Sequence, residues 1–116
     1  MAISVRNCFT LDDKVIRVAL IQRLSKFTVA PKRIIEELRV YNGNAIADVV
    51  TVHNDTHCYE IKGENDSVQR ILQQAKFYDL AFRKITLVTT MRHRASAERL
   101  SPAHWGILIA KENAGR

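Results

Sequence analysis

The chain is predicted to fold as an α/β domain, a mixed central sheet flanked by helices in the order helix, three strands, helix, strand, strand. Three observations predict it. A segment with helical spacing precedes three short apolar runs, which are separated by the turn-forming triplets Asn42-Gly43-Asn44 and Asn54-Asp55-Thr56. A second helical segment leads into the β-branched run Ile85 to Thr90, which reads as a buried strand. Finally, 116 residues, 47% apolar and 26% charged, suit one globular domain with its core at about residues 11–110.

The elements follow in order. Thr10 is placed to cap the first helix, with Asp12 and Asp13 in its first turn, where negative charge suits the helix dipole. Leu11, Val15, Val18 and then Ile21 or Gln22 keep a 3.6-residue period as far as Leu24, and Pro31 marks a break. Strands are expected over Ile34 to Tyr41, Ala45 to His53 and His57 to Lys62. The second helix is expected to start at Asp66, with Gln69 in the capping-box position, and to run to about Phe82. Val68, Ile71, Leu72, Ala75, Tyr78 and Leu80 supply its apolar spacing. Met91 to His104 is basic and irregular, with room for a short helix. Trp105 to Ala110 reads as a final strand with Trp105 in the core, and Lys111 to Arg116 as a loose tail.

Composition excludes several classes. The longest apolar run, Val18 to Ile21, is far short of the roughly 20 residues of a membrane span. The start of the chain has no signal-peptide pattern. Cys8 and Cys58 are too few for a disulfide framework or a zinc cluster, and His53 and His57 flank a turn without a third ligand nearby. A reduced, cytoplasmic protein without membrane contact or organic cofactor is the expectation. The net charge is +6 and the pI about 9.7. Residues 1–66 hold nine basic and nine acidic side chains, whereas residues 67–116 hold nine basic and three acidic, so the whole excess belongs to the second portion. A basic surface of this kind is the electrostatic footprint of a phosphate-backbone binder.

Charged residues inside apolar strands need a reason, because unpaired burial is costly. Glu60 and Lys62 are two apart on a strand and point to one face. Asp48 lies on the preceding strand of a hairpin. A three-residue loop at Asn54, Asp55 and Thr56 would set His53 against His57 and Asp48 across from Lys62, with Glu60 as the diagonal neighbour. A two-residue loop would throw Asp48 to the other face, so the shared site requires an odd loop or a bulge. Two carboxylates beside a lysine suit a hard divalent cation, and with it the handling of phosphate.

Asp48, an 11-residue gap and then Glu60-Ile61-Lys62 resemble the signature of the PD-(D/E)XK nuclease superfamily, although Ala47 replaces the usual proline. The element order is similar to that family's restriction-endonuclease-like αβββαβ core. Tyr59 to Lys62, Asp66-Ser67 and Trp105-Gly106-Ile107 further resemble a group of small bacterial and phage proteins within it. The resemblance spans residues 11–109 and implies a Mg²⁺-dependent DNA endonuclease, with Mn²⁺ able to substitute. It implies Asp48 and Glu60 as metal ligands and Lys62 as the catalytic lysine. It also implies a further glutamate ligand, for which Glu37 is chosen, although strand parity leaves Glu36 open. Gln74 and Tyr78, one helical turn apart, resemble the Q-x-x-x-Y motif of RecB-like nucleases. Gln74 would organise the site, with Tyr78 and Lys76 beside the nucleic acid, while Arg92 and Arg94 would steer phosphate. Cutting both strands of a duplex would suit a homodimer. The rival readings are a non-catalytic nucleic-acid-binding module and a protein-interaction component on the same fold.

Overall fold

The computed structural model describes residues 2–6, 10–27 and 29–113; Cys8 and the side chain of Leu72 lie outside the described set. Six strands, β1 (Ala2–Arg6), β2 (Arg33–Val40), β3 (Ala45–Val52), β4 (Thr56–Ile61), β5 (Lys84–Thr90) and β6 (Gly106–Asn113), form one mixed sheet. Their spatial order is β1-β6-β5-β4-β3-β2. The β2–β3 and β3–β4 pairs are antiparallel, and β4–β5, β5–β6 and β1–β6 are parallel. Helix α1 (Asp13–Ser25) packs on one face of the sheet, and α2 (Ile71–Ala81) and α3 (Arg94–Leu100) pack on the other. The α/β class with a mixed sheet flanked by helices is therefore present. No helix among the described residues is long and apolar enough to cross a membrane.

Several elements differ from expectation for physical reasons. Strand β1 was not expected; Ile3 and Val5 alternate with exposed residues, and the strand is held by its parallel pairing with β6. That pairing extends β6 to Asn113, so Lys111 to Asn113 are strand and not tail. The cap of α1 is Asp12, whose side chain accepts the Val15 N–H at 2.8 Å. Its buried stripe is Ile16, Leu20 and Leu24, while Val18 is 58% exposed. The segment is apolar around much of its circumference, so the sheet chose the phase. Asp66 does not cap the second helix. Ser67 accepts the Gln69 N–H at the head of a 3₁₀ turn, Val68–Arg70, which precedes α2. Leu80 is 71% exposed and Phe82 is buried in its place. A second 3₁₀ turn, Met91–His93, introduces α3.

One shifted titration follows from this packing. The His57 pKa falls to about 4, through burial first and then the charges of Lys84 and His53. The unfolded chain takes up that proton near pH 6.5 and the folded chain only near pH 4, so stability is present above 6.5 and lost towards 4. The ring is partly exposed, which leaves a loss of about 1 kcal/mol after solvent screening. Urea midpoints at pH 7.5 and 5 should fall further apart for the native chain than for His57→Gln.

Candidate functional site

The site begins where two strands part. The β3–β4 ladder runs from Val52↔Thr56 to Val49↔Tyr59 and stops, whereas β3 stays paired with β2 as far as Ala45 and β4 with β5 as far as Ile61. Beyond Val49, then, β3 and β4 diverge and leave a wedge. Asp48 fills its apex, with Oδ2 accepting the Ile61 N–H at 2.8 Å in place of a strand partner. The main chain of Lys62 is held from the other side: its N–H donates to the Val88 carbonyl, and its carbonyl accepts from the Thr89 hydroxyl. Opposite Asp48, Glu37 adopts φ 53°, and the Glu37–Asp48 pair is skipped in an otherwise continuous β2–β3 register.

The hairpin loop has three residues, but they are His53, Asn54 and Asp55. The count is odd, as a shared site requires, and Asp48, Glu60 and Lys62 line one cleft. The shifted register brings Asp48 level with Glu60, and not with Lys62 as expected. Asp48, Glu60, Lys62, Gln74 and Arg70 line a cleft of about 410 Å³. Glu60 is 3% exposed, and its carboxyl is pushed well above the usual range by burial and by the neighbouring Asp48. The Lys62 Nζ, 3.4 Å from Glu60 Oε2, opposes that shift. Glu60 Oε1 and Gln74 Oε1 are both buried without a hydrogen-bond partner.

Arg17 is the site residue that sequence reasoning missed. Its Nη2 lies 3.3 Å from Asp48 Oδ1 and its Nη1 3.6 Å from Glu36 Oε1. The available signal was an arginine next to Ile16 and Val18 in the middle of the first helix, inside its most apolar stretch. Of the two glutamates left open, Glu36 is linked to the site through this arginine. Glu37, the chosen one, is exposed and does not line the cleft, because its left-handed backbone turns it off the regular strand. Tyr78 is also displaced from its expected role. Its ring is buried and its hydroxyl donates to the Ile46 carbonyl at 3.0 Å, so it packs and does not meet solvent, and that burial raises its pKa. Lys76 is exposed, with Nζ 5.1 Å from the Phe77 ring centre. Arg92 and Arg94 are exposed around the second 3₁₀ turn, and Arg94 pairs with Glu98 at 2.9 Å. That turn is tied to the loop beyond Lys62 by a His93 Nε2 contact to the Glu64 carbonyl at 2.9 Å.

Among the described residues no cluster of three or more His, Cys, Asp or Glu side chains is placed to hold a metal ion. The donor set is nevertheless oxygen-rich: two carboxylates, plus a glutamine oxygen that lacks a donor. It fits a hard cation that keeps water and shares its shell with a ligand.

The family described as Bacteriophage P4 protein cII matches residues 8–116, and the chain belongs to it. It is 26% identical over 104 residues to "Protein cII" of Enterobacteria phage P4, covering 89% of this chain and 39% of that relative. The chain thus spans about two-fifths of that relative's length. No solved structure matches. Membership in this family overturns the assignment to the PD-(D/E)XK nucleases, and with it the nuclease function and the hydrolase activity. The phage affiliation agrees with one part of the likeness. The D…E-x-K spacing has its own account in the geometry: Asp48 closes the strand wedge and is paired with Arg17, and Lys62 is paired with Glu60.

Proposed function

We propose that this member of the P4 protein cII family binds nucleic acid, in the form of DNA, by seating a backbone phosphate at the Asp48–Glu60–Lys62 cleft with the help of Mg²⁺. One observation carries the reading: Glu60 and Gln74 line one cleft, each with an Oε1 that is buried without a hydrogen-bond partner, and a lysine ammonium sits beside the Glu60 carboxyl. Acceptor oxygens without donors are costly unless a cation completes them. Asp48 and Glu60 would hold Mg²⁺, or Mn²⁺ in its place, and the ion would offer positive charge to a phosphate oxygen. Lys62 and Arg70 add fixed positive charge at the same cleft. Arg92, Arg94 and Lys76 extend it from the portion of the chain that carries the entire net charge, making contacts that position a duplex without reading its sequence. The order α1, β2, β3, β4, α2, β5 supports a restriction-endonuclease-like comparison of strand arrangement only. The buried free thiol of Cys58 suits a reducing, cytoplasmic setting. A homodimer would double the basic surface offered to a duplex, and light scattering at binding concentrations reads it directly.

Fluorescence anisotropy with labelled duplex DNA, single-stranded DNA and RNA across a salt series, with Mg²⁺ or EDTA, tests the proposal. Duplex affinity should fall log-linearly with salt, and Arg92→Gln should reduce the slope by about one unit. Mg²⁺ should tighten binding by the native chain but not by a folded Glu60→Gln variant. Affinity indifferent to both salt and Mg²⁺ would overturn the reading.

A further inference from the structure

We propose a second ligand site, a pocket on the α1 face of the sheet that takes a small amphipathic organic anion. This pocket, of about 640 Å³, lies at the opposite end of β4 from the Asp48 cleft, beside His57 and Tyr59 and away from Glu60 and Lys62. Its size falls within the range of pockets that enclose small organic ligands. Leu20 and Leu24 of α1, Tyr59 of β4 and Leu108 of β6 give it an apolar body. Arg23 and Lys84 stand at its lining as permanent cations, against the single carboxylate of Asp55. A ligand that matches both features has an apolar body and one acidic head.

The polar groups within the pocket are prepared for such a head. The His57 ring stacks on Tyr59 at 4.1 Å between centroids, and its Nε2 lies 2.7 Å from Thr86 Oγ1, which fixes the imidazole plane. The charges facing it are Lys84 from β5, His53 and Asp55 from the hairpin loop and Arg23 from α1. Arg23 spends one N–H on the Ala2 carbonyl at 2.7 Å, which anchors its guanidinium and leaves further donors. The rim is therefore electropositive with its main cation held in place, and burial beside it favours an anion that brings its own apolar surface. The site shares no lining residue with the Asp48 cleft.

The test is an NMR titration of the whole chain with four probes: naphthalene carboxylate, decanoate, acetate and naphthalene carboxamide. The two amphipathic acids should give saturable shifts at Leu20, Leu24, Leu108 and the His57 ring, and their relative affinities separate an aromatic from a chain-like body. Bound carboxylate should also raise the His57 midpoint above its value of about 4. The exposed substitutions Lys84→Gln and Arg23→Gln should each weaken naphthalene carboxylate about tenfold while sparing the carboxamide. Glu60→Gln should leave these affinities unchanged, which separates this site from the nucleic-acid reading. The proposal is overturned if neither amphipathic acid saturates, if the carboxamide binds as tightly as the carboxylate, or if acetate binds as tightly as either.

Discussion

Asp48→Ala is expected to cost about 3 kcal/mol of folding stability, measured by urea denaturation, because one truncation leaves two partners without a match. The Ile61 N–H would lose its acceptor inside the sheet, and the Arg17 guanidinium would lose its closest carboxylate, 3.3 Å away. Arg17 is poorly placed to recover, since its Nε is already buried without a partner and Glu36 is further off at 3.6 Å. Asp48→Asn keeps an oxygen for the Ile61 N–H and loses only the charge, so its cost should be clearly smaller. A difference of under about 0.5 kcal/mol between Asp48→Ala and the native chain, the range of an ordinary surface change, would show that the wedge is closed by something else. The contrast matters for function too. If Asp48 is a structural keystone, loss of DNA binding in Asp48→Ala reports on folding, and Glu60→Gln or Arg92→Gln is the cleaner probe of the cleft.

Gly63→Ala is expected to destabilise by about 3 kcal/mol, at the upper end of overpacking costs. An added Cβ would lie 2.6 Å from the Asp13 nitrogen and 2.8 and 2.9 Å from the carbonyl carbon and Cα of Asp12. These are backbone atoms at the capped start of α1, where no side chain can swing aside. The chain here is also pinned on both sides. The Gly63 N–H donates to Asp66 Oδ2 at 2.7 Å, and the Glu64 N–H donates to the Leu11 carbonyl at 2.8 Å. Gly43→Ala provides the comparison. Its φ of 81° brings backbone strain, but nothing lies within 4 Å of the new methyl, so a cost of about 1 kcal/mol is expected. Equal thermal midpoints for the two variants would mean that the α1 cap yields and that close packing does not explain Gly63.

Strands β2 to β5 and the two long helices were legible because each carries a local signal: turn-forming triplets, a β-branched run or apolar spacing. Where that signal was ambiguous, the reading failed in a predictable way. In α1 the run Val15-Ile16-Arg17-Val18-Ala19-Leu20-Ile21 is compatible with more than one buried face, and only contact with β4 and β1 selected Ile16, Leu20 and Leu24. Strand β1 is five residues long, and its stability comes from β6, about a hundred positions later, so no local window reports it. The Ser67 turn was misread by one residue because Asp66 and Ser67 are both capping types, and Asp66 is already engaged with Gly63.

The functional motif shows a different limit. Three residues in a familiar spacing suggested an activity, whereas the match over residues 8–116 places the chain in another family. An Asp, a Glu and a Lys on adjoining strands meet the same physical demand, mutual neutralisation in a half-buried wedge, whether or not chemistry follows.

By itself the sequence determined the α/β class, the concentration of positive charge after residue 66 and the common face of Glu60 and Lys62, because each depends on composition or on periodicity; whether Asp48 joins them turned on the hairpin loop, which the fold set at three residues. Only the tertiary structure decided that β3 leaves β4 after Val49, that Arg17 from the first helix reaches Asp48, and that Tyr78 points inward to the Ile46 carbonyl. These are contacts between segments 31 to 32 residues apart, or breaks in a ladder. They are set by how the helices fill the two faces of the sheet, a quantity that no stretch of neighbouring residues contains.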